Sequence, residues 1–257
     1  MSGGVIPEQI LSPDAGAGGF LTTAPDPYRY DGNHELDPWE VSGMLADLVP
    51  IGSRVLDVGC GTGALSVVLR DERHATVFGV EPDLTRAARA AERGIEVHAG
   101  VLTPALRASV GDFDVAIFAD VLEHLVDPLG ELVKAASFVR PNGIVIVSVP
   151  NVAHWSVRFE LLRGRFRYER FGIMDATHLR WFTEETIRQV MDQAGLDVVR
   201  VQQTAGTMLL CYRETRLAKI PERQRSKIVR RLSRLFPRLF GCQHIVVGRF
   251  RAHGASG

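Results

Sequence analysis

Cysteine is nearly absent from this chain. Its 257 residues include three, Cys60, Cys211 and Cys242, an odd number with no shared ligand spacing, which argues against a disulfide framework and against a zinc site built on thiolates. Net charge is absent too: 30 basic and 30 acidic side chains cancel, so the molecule as a whole is no electrostatic trap for nucleic acid. No apolar run approaches the roughly 18 residues of a membrane span. Residues 1–25, though rich in Gly, Pro and Ala, lack the basic start and apolar core of a secretory signal. A reducing cytosol is the expected home, with residues 1–25 a flexible leader and residues 26–257 a single domain. The 46% apolar and 23% charged composition is that of a globular protein with a core.

From residue 37 onward helical and strand patterns alternate, which favours an α/β fold with a largely parallel sheet. Asp37-Pro38 reads as a helix start, with Trp39, Met44, Leu45 and Leu48 on one face. Strands are predicted at RVLDV (54–58), TVFGV (76–80), IEVHA (95–99), FDVAIFA (113–119), GIVIVSV (143–149), DVVRVQQ (197–203) and HIVVGRF (244–250). A helix after Asp127-Pro128 carries a stripe of Leu129, Leu132, Val133, Ala136 and Val139 and is expected to stop at the Pro141-Asn142-Gly143 turn. Another opens at Thr183, buries Ile187, Val190, Met191 and Ala194, and ends at Gly195. Connections 151–182 and 205–242 are too long to be plain loops, and such insertions carry function or structure of their own.

VLDVGCGTG (55–63) follows a strand and opens a helix, so Gly59, Gly61 and Gly63 let the backbone turn sharply and approach a ligand. The run also satisfies the dinucleotide pattern G-x-G-x-x-G/A, and Glu81 stands roughly 20 residues on, where a ribose-binding acid belongs. Both readings place a nucleoside here, and an oxidoreductase is the alternative enzyme. Asp57 separates them: a carboxylate two residues before the first glycine repels a pyrophosphate and attracts a sulfonium.

VLDVGCGTG, GVEPD (79–83) and FDVAIFADVLEHL (113–125) resemble the first three motifs of class I S-adenosylmethionine-dependent methyltransferases, over roughly residues 40–203 plus the terminal strand. The resemblance implies a Rossmann-like, doubly wound sheet of seven mostly parallel strands, the last antiparallel, with helical insertions. It implies Asp57, Gly59, Cys60, Gly61 and Gly63 near the methionine moiety, Glu81 and Pro82 at the ribose, and Asp120 at the cofactor's edge. HAGVLTP (98–104) lacks the acid that many members use to meet the adenine amino group. Backbone groups and apolar packing near Val101 and Leu102 are expected to serve instead.

FADVLEHLVDP (118–128) places Asp120, Glu123 and His124 just past the fourth strand, at the edge where open α/β sheets bind ligands. On a helical turn the three share a face that a cation could bridge. The spacing resembles the E-x-x-E-H element of ubiquinone-biosynthesis O-methyltransferases and of small-RNA 2′-O-methyltransferases, where a divalent metal is associated with it. Both families also show a histidine ahead of a later helix, matched here by His178 in DATHLRWFTEE (175–185). The expectation is a Mg2+ or Mn2+ ion held by Asp120, Glu123, His124 and His178. Metal-free catalysis by His124 or His178 is the second reading and a structural role the third. His154 is the backup base.

Segment 150–183 is dense in aromatic and arginine side chains, suited to flat, hydroxyl-rich or anionic ligands or to a lid. It resembles bacterial methyltransferases linked to glycan assembly, which implies a sugar, glycolipid or oligosaccharide hydroxyl as acceptor; a quinone or phenol acceptor is the alternative, and a cofactor-binding module without turnover the non-enzyme one. Residues 213–239 hold ten basic side chains against Glu214 and Glu222. A stripe of Ile228, Leu232, Leu235, Phe236 and Leu239 runs through them until Pro237 breaks the helix. Such a helix packs on its own domain, lies on an anionic membrane or meets a lipid-linked acceptor, with nucleic acid the weakest of the options. A peripheral position on the inner membrane face would follow from the second.

Overall fold

In a computed structural model, residues 37–213 and 216–250 are described; the leader expected over residues 1–25 lies outside them. The strands are β1 (Arg54–Val58), β2 (Thr76–Glu81), β3 (Glu96–Ala99), β4 (Phe113–Ala119), β5 (Val139–Pro150), β6 (Leu196–Gln203) and β7 (Gln243–Phe250). They form one sheet in the order β3-β2-β1-β4-β5-β7-β6, parallel except that β7 runs antiparallel to both β5 and β6. The order reverses between β1 and β4, which pair directly. That reversal opens a crevice at their carboxyl ends.

Helices α1 (Val41–Leu48), α2 (Ala64–Arg73), α3 (Leu84–Glu92), α4 (Pro104–Val110), α5 (Pro128–Ala136), α6 (Trp155–Leu162) and α7 (Glu184–Gln193) flank the sheet and its edges. Short α8 (Leu210–Arg213), long α9 (Glu222–Leu235) and short α10 (Pro237–Phe240) fill the second long connection. Successive strand residues feed opposite layers, as the twofold repeat requires. Leu56, Phe118, Val147 and Val246 pack with Ile187 and Met191 of α7 on one side. Their neighbours Val55, Ile117, Ile146 and Ile245 pack with Leu45 and Leu69 on the other. Burial on both faces is why these strands read as unbroken apolar runs.

Two boundaries and two helix faces differ from the sequence reading. Asp37-Pro38 makes a turn instead of starting α1: Glu40 N donates to Asp37 O, and Trp39 N to Asp37 Oδ1. Helix α5 stops at Ala136 and Val139 already belongs to β5, so Pro141-Asn142-Gly143 lies inside a strand. There the register against β4 jumps, from Phe113 opposite Val139 to Val115 opposite Ile144, and this bulge absorbs a proline that has no amide to give the ladder. Val133, assigned to the buried stripe, is 49% exposed. On α9 the inward residues are Val229 and Ser233, whereas Ile228, Leu235 and Phe236 of the expected stripe face outward. Helix α7 follows the reading closely: Thr183 and Thr186 exchange side-chain and backbone hydrogen bonds in a capping box, and Ile187 and Met191 are buried.

Candidate active site

The glycine loop leaves β1 with Gly59, Gly61 and Gly63 at φ of +70°, +56° and +77°, values that a side chain resists. The amides of Gly59 and Cys60 both donate to Val80 O, folding the loop over the end of β2. A Cβ on Gly59 would stand 2.8 Å from Val121 Cγ2. The loop therefore packs directly on the segment that leaves β4, two residues before Glu123.

Asp57 is buried, with Ser66 Oγ donating to its Oδ2 at 2.6 Å. Burial pushes its carboxyl up to about 6; the Ser66 hydrogen bond opposes the rise and the nearby Glu81 charge adds to it. Glu81, also buried, accepts from Gly61 N at 2.9 Å and Asp83 N at 3.0 Å. Two acids thus line one crevice, held in place by a hydroxyl and two amides. Such a pair favours a cationic ligand over a diphosphate.

The other residues expected at the cofactor divide between lining and support. Cys60 is buried against Gly79, where a Cβ would meet its Sγ at 2.6 Å, and burial pushes its thiol up, so it acts as a packing group. Pro82 is exposed. Val101 is exposed at the end of β3, but Leu102 sends its side chain into the core. The Leu102 side chain is therefore committed to the core, where the expectation had backbone groups and apolar packing near both residues meeting the adenine.

Just past β4, Asp120 takes the left-handed conformation at φ +55°, uncommon for a residue with a Cβ. Ser148 holds it there: Asp120 N donates to Ser148 Oγ, which donates in turn to Asp120 Oδ1 at 2.7 Å. The bend aims the following turn of 3-10 helix, Leu122–His124, at the loop that carries His178. Glu123 O accepts from Leu179 N and Arg180 N at 2.7 and 3.0 Å, tying the two segments together.

There one ligand atom each from Glu123, His124 and His178 lie within 4.8 Å of one another. His124 Nδ1 faces Thr177 O at 3.2 Å, and His178 Nδ1 faces Ile173 O at 3.1 Å. Carbonyls only accept, so each Nδ1 carries the proton and each Nε2 carries the lone pair, the arrangement that orients a metal-ligating histidine. Both carboxylate oxygens of Glu123 are buried without a hydrogen-bond partner. Burial, then the charge of Asp120, raises its pKa well above the ordinary value, and Asp175 adds to the rise. A buried carboxylate without a hydrogen-bond partner, grouped with two imidazoles, fits a divalent cation. Asp120, expected as a fourth ligand, is not one of the three that converge; its Oδ1 accepts from Ser148, and its charge still bears on Glu123.

Three supporting residues escaped the sequence reading. Asp175, fully buried, accepts from Thr177 N and Thr177 Oγ1, locking the residue whose carbonyl orients His124. Ser66 and Ser148 hold the two aspartates. Asp175 and Thr177 lie within the quoted DATHLRWFTEE stretch, and an aspartate two residues before a threonine is an Asx-turn pattern. The serines carry no local signal: Ser66 reaches Asp57 from helix α2, and Ser148 reaches Asp120 from the neighbouring strand β5.

Residues 35–201, well over half the chain, match the methyltransferase domain family. The chain belongs to this family. Its donor is S-adenosylmethionine. A ubiquinone biosynthesis O-methyltransferase from Xanthomonas axonopodis pv. citri is 35% identical over 123 residues, 46% of this chain and 52% of that protein. The chain spans about half the length of the curated relatives it matches. Among solved structures, a methyltransferase from Archaeoglobus fulgidus has a TM-score of 0.54 at 19% identity, covering 80% of this chain and 91% of its own. Magnesium protoporphyrin IX methyltransferase from Synechocystis, with S-adenosylhomocysteine bound, scores 0.51 at 18% identity and covers 82% and 80%. At such identities the likeness concerns the fold.

In this methyltransferase His154 stands away from the base role expected of it. It is fully buried as the N-cap of α6: Nδ1 accepts from Ser156 N, and Nε2 meets Tyr212 Oη at 3.1 Å, to which Trp155 Nε1 also donates. Burial lowers its pKa to about 4. Its lone pair is spent on the cap. His154→Phe should destabilise the fold by about 1–3 kcal/mol, the cost of stranding buried polar groups, with turnover per folded molecule unchanged; thermal melting beside an activity assay checks both.

The first insertion carries a cluster of aromatic rings. Phe166, Tyr168 and Trp181 pack edge to face or tilted, with centroids 5.5 to 6.2 Å apart, and Trp181 lies three residues beyond His178. Phe166 and Tyr168 are each partly exposed, so the cluster offers ring faces to a ligand. No helix among the described residues is long and apolar enough to cross a membrane.

Proposed function

We propose that this methyltransferase transfers the methyl group of S-adenosylmethionine to a hydroxyl of a small, flat, phenol- or quinol-type acceptor. The observation that carries the reading is the buried Glu123 carboxylate, without a hydrogen-bond partner and grouped with His124 and His178, adjoining the glycine loop through Val121. Relatives named ubiquinone biosynthesis O-methyltransferase and the cluster of Phe166, Tyr168 and Trp181 favour an aromatic acceptor over the sugar or glycolipid expected from segment 150–183.

In the transfer, the acceptor oxygen attacks the methyl carbon as its bond to sulfur breaks, leaving S-adenosylhomocysteine, and the hydroxyl proton must go to a base. Asp57 and Glu81 hold the donor's cationic and ribose ends, so that the methyl points to the β4 edge. Positioning of this kind accounts for on the order of 7–11 kcal/mol in favourable intramolecular cases. Glu123, His124 and His178 would hold Mg2+ or Mn2+, which when bound lowers the pKa of a coordinated hydroxyl. Asp175 and Thr177 keep the His124 ring in line. The dry surroundings of Glu123 raise the basicity of its carboxylate, which strengthens its grip on a cation.

The test is incubation of the full chain with labelled S-adenosylmethionine and a panel of catechols, quinols, simple phenols and hydroxylated sugars, with magnesium, manganese or a chelator. Labelled catechol or quinol products that vanish with chelator are expected. Labelled sugars and unlabelled phenols would overturn the acceptor class; full turnover in chelator would overturn the metal.

A further inference from the structure

Helix α9 has two unlike flanks. On one, Arg230 pairs with Asp37, and Arg230 and Arg234 lie over the Trp39 ring with guanidinium carbons 5.7 and 4.3 Å from its centroid. These contacts fix the helix beside the start of α1. On the other, Ile228, Leu232 and Leu235 form a row that remains largely uncovered, Ile228 being 48% and Leu235 60% exposed. Phe236, 55% exposed, extends it. The row continues inward into an apolar cavity of 270 Å³ walled by Leu217, Ile220 and Phe240. Lys227 and Arg231, both exposed, border the row on the outer side, within a segment whose ten basic and two acidic residues leave a net charge of +8 over 213–239.

An uncovered apolar row edged by cations matches the section of a bilayer that carries anionic headgroups: acyl chains below, phosphates at the rim. A second copy of the chain would bring its own Lys227 and Arg231 to the same face and be repelled. We propose that α9 docks this protein on anionic membrane surfaces, with Ile228, Leu235 and Phe236 entering the acyl boundary while Lys227 and Arg231 meet lipid phosphates. The segment is also anchored to the edge of the sheet where the site opens. Asn151, at the end of β5, donates from Nδ2 to Gly241 O at 2.8 Å and to Arg238 O at 3.2 Å, and Arg238 pairs with Glu184 at the start of α7. Docking through α9 therefore holds the carboxyl edge of the sheet near the lipid. This inference stands independently of the acceptor assigned above.

The full chain should sediment with vesicles of equal parts phosphatidylcholine and phosphatidylglycerol at low salt, stay in solution with phosphatidylcholine alone, and be released as ionic strength rises. Lys227→Glu and Arg231→Glu should each weaken the partition about fivefold, from roughly 1 kcal/mol per basic residue at such a surface. Leu235→Asp should weaken it at least as much, and all three variants should keep wild-type melting and donor binding. No sedimentation with the anionic vesicles at low salt overturns the proposal. So does binding that the charge reversals abolish and Leu235→Asp leaves intact, because that is unspecific attraction without insertion. Concentration-dependent dimers that Leu235→Asp dissolves, with no vesicle binding, would make the face a copy-to-copy interface instead.

Discussion

Glu123→Gln is expected to lower turnover by a factor on the order of 10²–10⁴, the range that a positioned catalytic proton or ligand group supplies, while binding S-adenosylmethionine like the native chain. The side chain keeps its shape and loses only its ability to become an anion. In the folded protein both carboxylate oxygens are buried without partners, an arrangement that costs free energy unless a cation or a proton occupies it. The amide has no charge to bury, so the variant should melt close to the native temperature when no divalent ion is present. Adding Mn2+ should raise the melting temperature of the native chain and leave the variant unmoved, because mass action stabilises only a state that binds. Melting curves with and without Mn2+, set beside steady-state rates, read both halves. Native-like turnover in Glu123→Gln would remove the group from the chemistry, and an Mn2+ response surviving in the variant would place the ion elsewhere.

Asp57→Asn should weaken S-adenosylmethionine by roughly 10- to 150-fold, equivalent to the about 1.5–3 kcal/mol of a hydrogen bond or close contact with a charged group. S-adenosylhomocysteine, which has no sulfonium, should lose less. The pH dependence follows from the raised carboxyl, held at about 6 mainly by burial, with Glu81 adding and Ser66 opposing. A cationic donor prefers the ionised acid, so affinity should climb as pH rises through about 6 and then level. Stability moves the other way. A folded pKa above the ordinary 3.8 means that this group's contribution is full below 3.8 and is lost as pH rises through about 6. Without donor the native chain should therefore lose stability between those values relative to Asp57→Asn. Calorimetric titrations of both nucleosides across this range, with melting curves alongside, decide the matter; a pH-independent donor affinity in the native chain would refute the assignment.

The residues differ in how openly they announce their roles. The glycine loop and its acids were legible because each acts through local backbone geometry: a sharp turn needs glycine at stated positions, and the acid must stand at a strand end. The strands were legible because both sheet faces are covered, which forces continuous apolar runs. Helix α9 was legible only in part: its apolar stripe fitted the helical period, but periodicity says which residues share a face, not what the face meets, and that choice stayed open until Val229 and Ser233 proved to be the inward residues. The end of α5 was missed for a related reason, because a Pro-Asn-Gly sequence that marks a turn in isolation is absorbed here by a bulge against β4.

By itself, then, the chain's order of residues determined the sheet, the crevice at its reversal and the pair of acids within it, since all of these follow from hydrophobic period and from the few residues that can turn a backbone. Tertiary structure alone decided that Glu123, His124 and His178 converge, that Ser148 holds Asp120 in its left-handed bend, and that His154 spends its lone pair on a helix cap. The convergence depends on which strand end meets which loop, His124 reaching Thr177 across more than fifty residues of chain, and on the orientation that a carbonyl imposes on an imidazole, neither of which is written in local spacing.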